Sequence, residues 1–163
     1  MVDRYLTAQQ VTDRVAIREL IDKYAYFADR RDAASQIALF TEDTAFLVFG
    51  DHGNPIPTQA IRGREGLRPV FENLHRYEAT THLNGQSMVT VVGNQAAGTT
   101  YCIAHHVVTQ GASRNLVTTS IRYIDSFVRR PNSGWLFEQR KLIVDWVETR
   151  VLGGLGDCPP LPL

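Results

Sequence analysis

The sequence has little of three things: cysteine, net charge and long apolar runs. The only cysteines, Cys102 and Cys158, lie in unlike contexts, so no disulfide framework is expected. Lysines and arginines number 17 and so do aspartates and glutamates, so no basic field attracts phosphate. No segment has the roughly 18 apolar residues that a membrane-spanning helix needs, and the first residues lack the apolar core of a signal peptide. We therefore expect a cytoplasmic protein that binds neither nucleic acid nor membrane.

The composition suits one globular domain. The chain has 163 residues, of which 44% are hydrophobic and 21% charged, enough to bury a core. We predict a single domain over residues 1–152 and a flexible or subunit-contacting tail over 153–163, where glycine and proline accumulate. Since a formal charge of zero does little to keep copies apart, we expect a homo-oligomer, a dimer or a trimer.

The first half of the chain predicts three helices. Apolar residues recur at helical spacing from Thr12 to about Arg31, with Thr12 or Asp13 available as the N-cap. Shorter helices are predicted over residues 34–40 and 64–77.

The second half predicts long β-strands in an antiparallel meander. With two short strands before them, the predicted strands are 43–49, 56–61, 80–92, 96–109, 116–130 and 135–147. Gly93-Asn94 is a hairpin signal because both residues tolerate positive φ. Helices followed by long hairpins indicate an α+β fold: a cone-shaped, curved sheet, antiparallel or mixed, with three N-terminal helices packed on it. The inside of such a cone is a natural ligand cavity.

A carboxylate continues the apolar ridge of the first helix. Its i+4 series is Ile17, Ile21, Ala25 and Asp29. This spacing points Asp29 inward, and the alternative is an Asp29 solvated near the helix end.

The strand over 80–92 has a polar but largely uncharged face. The alternating residues on it are His82, Asn84, Gln86, Met88 and Thr90. These residue types suit an enclosed polar cavity better than solvent, where lysine and glutamate are commoner, and an exposed polar face is the alternative.

The next strand carries adjacent histidines, of which only one can enter the cavity because neighbouring strand residues point to opposite faces. His105 shares a face with Tyr101, and the sequence leaves the choice between His105 and His106 open. On the last strand Asp145 or Trp146 is a possible wall residue.

An aspartate and a histidine in a desolvated pocket form a general base. The carboxylate fixes the tautomer of the imidazole and stabilises the imidazolium that forms, so Asp29 and His82 are the candidates. No serine or cysteine lies in a nucleophile elbow. The five histidines show no ligand pair at helical spacing, so neither a metal nor another cofactor is expected.

Short segments in a fixed order carry a family resemblance. They are residues 16–29, 39–43, 61–65, 81–84 and 123–125, then Gly134-Trp135 with Arg140 and Asp145-Trp146. In their order and spacing, up to about Leu152, the chain resembles the SnoaL-like branch of the nuclear transport factor 2-like superfamily.

Within that branch the chain is similar to scytalone dehydratase, bile acid 7α-dehydratase and hexachlorocyclohexane dehydrochlorinase, which eliminate water or HCl without a cofactor by means of an Asp/His dyad. The resemblance implies that Asp29 and His82 are this dyad. It matches Tyr24 to a helix tyrosine of the bile acid enzyme and His106 to the second histidine of scytalone dehydratase, although a one-residue shift selects His105.

The chain also departs from these enzymes. Ala28 replaces the tyrosine beside the aspartate of scytalone dehydratase, and its early-strand tyrosine pair falls among Phe46, Val48 and Phe49. Scytalone is therefore not the expected substrate. The late-strand arginine of the bile acid enzyme falls near Asp145, so a substrate carboxylate would lack that partner.

The resulting hypothesis is a cofactor-independent lyase: a dehydratase or eliminase, or a related retro-aldol enzyme or cyclase, acting on a small hydrophobic, aromatic, polyketide-like or steroid-like substrate. The catalytic candidates are Asp29, His82, Tyr24 and His106. The substrate-binding candidates are His105, Asn84, Tyr101, Phe46, Val48, Asp145 and Trp146.

Two alternatives are a noncatalytic β-type subunit of a ring-hydroxylating dioxygenase and a small-molecule binding module. The subunit would have an exposed apolar face and no need for His82. The lyase would have a closed pocket with Asp29 and His82 within hydrogen-bond distance.

Overall fold

A computed structural model describes residues 6–111 and 113–153. Its elements in chain order are α1 (Ala8–Arg30), α2 (Ala33–Ile37), β1 (Phe40–Phe49), β2 (Gln59–Arg62), a 3₁₀ turn (Arg64–Leu67), α3 (Arg68–Glu72), a second 3₁₀ turn (Asn73–Arg76), β3 (Ala79–Val92), β4 (Gln95–Gln110), β5 (Ser113–Arg130) and β6 (Gly134–Val151). Cys158 and the predicted tail from position 154 onward lie outside the described residues.

The six strands form one sheet in the order β2-β1-β6-β5-β4-β3. Strands β1 and β6 run parallel, and every other neighbouring pair is antiparallel. Helix α1 packs against β3 and β6, and the hydrophobic core lies between this helix and the inner face of the sheet. The predicted α+β fold, a cone built from a mixed sheet with helices packed on it, is confirmed.

Two predicted helices differ from the observed ones. The predicted helix over 34–40 ends at Ile37, because Phe40 already pairs with Phe137 in the sheet. The predicted helix over 64–77 is a short α-helix between two 3₁₀ turns, with Pro69 in its first turn, where the missing N–H of proline removes no helical hydrogen bond.

Helix α1 begins one turn earlier than the predicted caps, Thr12 and Asp13. Thr7 is the N-cap, and it forms a capping box in which its hydroxyl accepts from the Gln10 backbone N–H while the Gln10 side chain accepts from the Thr7 backbone N–H. The helix ends at Arg30, and its C-cap Arg31 adopts the left-handed conformation. No helix in the described part of the chain has the length and apolar character needed to cross a membrane.

Asp13 is buried and fastens α1 to the β5–β6 hairpin. Its Oδ1 accepts hydrogen bonds from Arg129 Nη1 at 2.8 Å and from Trp135 Nε1 at 3.1 Å. A carboxylate that could have capped the helix therefore holds the start of the helix against the sheet instead.

An irregularity in β3 reverses which residues face inward. The pairing with β4 shifts between Asn84 and Ser87, so an extra residue on β3 exchanges the two faces beyond that point. The partly or fully buried residues of β3 are Thr80, His82 and Asn84, followed by Ser87, Val89 and Val91. The prediction that Gln86, Met88 and Thr90 share the inner face with His82 is wrong, and Met88 is 77% exposed.

A buried ion pair lies at the centre of the core. Arg140 of β6 donates from Nε and Nη2 to the two carboxylate oxygens of Asp125 on β5, both at 2.8 Å, and the two side chains are 0% and 1% exposed. The rings of Tyr24, Tyr123 and Phe137 surround the guanidinium, each with its centroid 4.1 Å from Cζ. One helix and two strands thus meet around one positive charge.

We expect the Arg140→Met variant to lose about 3–5 kcal/mol of unfolding free energy, because it leaves the Asp125 carboxylate buried without a partner. Urea unfolding followed by circular dichroism measures the loss. Arg122→Met is the control, since Arg122 pairs with Asp145 where both side chains are partly exposed, and it should cost no more than about 1 kcal/mol. Equal losses in the two variants would contradict the central role of the buried pair.

Candidate active site

Helix α1 and strand β3 bring Asp29 and His82 together. His82 Nδ1 lies 2.6 Å from Asp29 Oδ1, and the His82 backbone N–H donates to Asp29 Oδ2 at 2.9 Å. The His82 side chain is 7% exposed and that of Asp29 is 26% exposed. Asp29 therefore points inward, as its ridge on the helix predicts, and both of its oxygens bind the same residue.

This arrangement fixes the protonation of the histidine ring. An ionised carboxylate only accepts hydrogen bonds, so Nδ1 of His82 carries the proton and Nε2 of the neutral ring carries a lone pair. Partial burial raises the pKa of Asp29, but the hydrogen bonds from His82 outweigh it and hold this pKa below its ordinary value. Asp29 is thus ionised at neutral pH, as the partner of a basic imidazole must be.

The His82 ring forms part of the wall of a cavity of about 140 Å³ between α1, α2, α3 and the inner face of the sheet. The polar wall residues are Tyr24, Gln36, His82, His106 and Tyr123. The apolar part of the wall includes Phe46, Val48, Phe71, Leu74, Ile121 and Leu142. The cavity is therefore mainly apolar, with hydrogen-bonding groups beside the dyad.

The structure places His106, and not His105, at this cavity. The His106 ring packs on the Tyr77 ring, with centroids 4.5 Å apart, and lies edge-on to the His82 ring at 5.4 Å. His105 is on the outer face, where its Nδ1 lies 3.1 Å from Thr118 Oγ1. Burial, together with the nearby His82 ring, lowers the pKa of His106 to about 4, so this imidazole is neutral at neutral pH.

The two tyrosines of the wall are buried proton donors. Burial raises the pKa of Tyr24 to about 12 and that of Tyr123 well above its ordinary value, so both phenols keep their protons at neutral pH. Burial also raises the pKa of the Cys102 thiol to about 11, which leaves this thiol un-ionised and unsuited to nucleophilic attack.

Sequence analysis did not identify Tyr123 as a wall residue. The signal was available, because Ile121, Tyr123 and Asp125 alternate on one face of β5, and residues 123–125 are among the segments that carry the family resemblance. What the sequence did not show is that Arg140 pairs with Asp125 and so requires this face to be the inner one.

Phe46 and Val48 line the cavity, but five of the predicted substrate-binding residues lie elsewhere: His105, Asn84, Tyr101, Asp145 and Trp146. The Asn84 side chain faces α1, where it donates to Ile21 O at 3.2 Å and to Asp22 Oδ1 at 3.0 Å. Asn84 therefore ties β3 to the helix.

Three more of these residues, Tyr101, Asp145 and Trp146, lie on the outer face of the sheet because of their positions along the strands. Tyr101 is 48% exposed because strand alternation turns it away from the inner face, and Trp146 is 50% exposed because the register shift between β5 and β6 turns it outward. Asp145 lies at a register shift between β5 and β6, and it pairs with Arg122 at 2.7 Å. The structure does not bring these side chains to the cavity.

No group of three or more histidine, cysteine, aspartate or glutamate side chains within residues 6–111 and 113–153 is arranged to hold a metal ion.

We expect the His106 imidazole to titrate with a midpoint near pH 4, as measured by ¹⁵N-resolved NMR of the histidine rings. The ordinary pKa of histidine is 6.5, so between about pH 6.5 and 4 the unfolded chain binds a proton that the folded chain does not. Stability should therefore fall as the pH falls through this window, and His106→Gln should remove that part of the loss. A midpoint near 6.5 would contradict the burial of His106.

A family model described as a SnoaL-like domain matches residues 9–141. No curated protein sequence matches the chain.

Several solved structures share the fold. A candidate scytalone dehydratase from Novosphingobium aromaticivorans is 20% identical, with 94% of this chain and 100% of that chain covered and a TM-score of 0.74. A type 2 hexachlorocyclohexane dehydrochlorinase is 18% identical, with 93% and 99% covered and a TM-score of 0.65. The beta subunit of a candidate aromatic-ring-hydroxylating dioxygenase from Novosphingobium aromaticivorans is 19% identical, with 87% and 94% covered and a TM-score of 0.69.

At these identities the likeness to solved structures shows the fold alone. The fold is also that of an NTF2-like protein with a cystatin-like fold from Novosphingobium aromaticivorans, which is 24% identical with a TM-score of 0.62. The match covers 83% of this chain and 84% of that chain. The family model covers most of the chain, from the first helix to the last strand. The chain belongs to the SnoaL-like domain family.

Proposed function

We propose that the chain is a lyase that works without a cofactor, in which His82 is the general base and Asp29 orients it. The observation that supports this proposal is the 2.6 Å hydrogen bond between His82 Nδ1 and Asp29 Oδ1 beside a mainly apolar cavity that is partly open to solvent. This bond leaves the Nε2 lone pair of His82 available to a substrate in the cavity.

In this reaction Nε2 of His82 removes a proton from a carbon that is acidified by a neighbouring carbonyl or aromatic group. The electron pair of the broken C–H bond forms a C=C bond as the leaving group departs from the next carbon. Asp29 stabilises the imidazolium that results. When the leaving group is hydroxide, the imidazolium returns the proton to it and water is released, so the base is regenerated.

Tyr24 and His106 would bind the oxygen that gains negative charge. Tyr24 is protonated, and a neutral His106 offers one N–H as a hydrogen-bond donor. Because His106 is not an imidazolium at neutral pH, it would polarise the departing or carbonyl oxygen and would not protonate it. General acid–base catalysis contributes roughly 10²- to 10⁴-fold, so orientation of the substrate in the cavity must supply the rest.

The test is elimination of water from cyclic β-hydroxy ketones, followed by the ultraviolet absorbance of the conjugated enone, with no metal or cofactor added. We expect His82→Ala and Asp29→Asn each to lower kcat/KM by at least about 10²-fold while the near-ultraviolet circular dichroism spectrum is retained. His52→Ala is the control, since His52 is exposed on the loop between β1 and β2 and should leave the activity unchanged. Full activity in either dyad variant would refute the mechanism.

One observation favours the noncatalytic subunit as a second candidate. The outer face of the sheet carries exposed large apolar side chains, among them Leu83, Met88, Tyr101 and Trp146. A subunit of a larger enzyme would need such a face, and so would the homo-oligomer that the neutral charge predicts. The dyad variants separate the two functions, because a noncatalytic subunit does not depend on His82.

A further inference from the structure

The cavity beside the dyad is small, and its size limits what can enter. An apolar cavity of about 150 Å³ in another protein holds one benzene molecule, and the present cavity measures about 140 Å³. We propose that it takes a single six-membered ring that is uncharged and bears a hydroxyl or carbonyl group. This inference rests on the proposed function for its chemistry, and it narrows the substrate class by excluding the two-ring and steroid-like molecules that the sequence left open.

The wall of the cavity resists widening because packed aromatic rings support it. The Phe71 ring lies 5.8 Å from Tyr24, 5.9 Å from Phe40 and 5.8 Å from Phe46, measured between centroids. Phe40 in turn stacks on Phe137 at 5.0 Å. To hold a second fused ring inside the cavity, several of these close-packed side chains would have to leave their positions together, which close-packed interiors oppose.

The charged side chains near the cavity already pair with other protein groups, so an anionic substrate would find no positively charged partner. Both oxygens of Asp29 accept hydrogen bonds from His82. Arg140 is committed to Asp125 and packs against the faces of Tyr24 and Tyr123. No lysine or arginine lines the cavity among the described residues. Because an unpaired buried charge is costly, the bound molecule must be neutral.

The polar groups of the wall suit one oxygen atom on the ring. Tyr24 on α1 and Tyr123 on β5 both line the cavity, and their rings are in edge-to-face contact with centroids 5.8 Å apart. A hydroxyl or carbonyl oxygen can accept a hydrogen bond from a phenol, whereas the apolar residues surround the rest of the ring. Tyr123 is thereby a substrate-binding residue in addition to those that the sequence indicated.

The experiment measures equilibrium binding of three probes by titration calorimetry or ligand-observed NMR: phenol, 2-naphthol and benzoate. Phenol should bind with a Kd on the order of 1 mM, and 2-naphthol and benzoate at least about tenfold more weakly. Equal binding of 2-naphthol or of benzoate, or no saturable binding of phenol, would overturn the proposal.

Variants then locate the binding in the cavity. Leu142→Ala removes part of the wall and should strengthen 2-naphthol binding by about tenfold. Val70→Ala is a smaller truncation of the same wall, and it replaces Leu142→Ala if that variant does not fold. Ile124→Ala, on the outer face of β5, is the matched control and should change nothing. Tyr123→Phe should weaken phenol binding by about fivefold. Unchanged 2-naphthol binding in the Val70→Ala variant, or an equal gain in Ile124→Ala, would contradict the proposed size limit.

This inference and the proposed function fail separately. Phenol has no leaving group, so its binding does not require turnover. Phenol binding without elimination from any β-hydroxy ketone would refute the lyase and leave the size limit intact. Elimination from two-ring ketones but not from one-ring ketones would support the lyase and refute the size limit.

Discussion

The placement of a positive charge inside the protein constrains most of the core. Arg140 is completely buried, so its guanidinium needs a carboxylate and a surrounding of polarisable rings. Asp125 and Tyr123 come from β5, Phe137 from β6 itself and Tyr24 from α1. This set of partners fixes which face of β5 and β6 is the inner one and where α1 lies across it. The cavity occupies the space that remains between Tyr24 and Tyr123 and the dyad.

The dyad depends on this placement of the helix, because Asp29 lies in its last turn. Both ends of α1 are held by contacts with other elements. Near its start Asp13 accepts from Arg129 and Trp135, and at its end Arg31 donates to the backbone carbonyls of Leu74 and Tyr77. A carboxylate on a helix held at both ends keeps its position relative to β3, and general base catalysis requires such fixed geometry.

Periodicity predicted the helices, the six strands and the inward direction of Asp29, since these follow from local spacing. It did not predict the shift of register after Asn84, because a bulge depends on how the partner strand pairs and leaves no mark on the alternation itself. The choice between His105 and His106 stayed open in the sequence for a related reason, as one residue of register decides it. The pairing of Asp125 with Arg140 joins separate strands, which the sequence of either strand does not specify.

The register shift in β3 also bears on how related sequences diverge. Before the shift His82 faces the cavity, and after it Ser87, Val89 and Val91 face the core. Loss of one residue at Gly85 or Gln86 would remove the bulge, and plain alternation would then keep His82 and Asn84 on the same face as Ser87, Val89 and Val91. A homologue without the bulge would therefore keep both the core and the dyad, with one residue fewer between its histidine and the core residues that follow. Relatives of this chain are best aligned by the face on which each residue lies, because counting residues back from the core would misplace by one position the histidine of a strand that lacks the bulge.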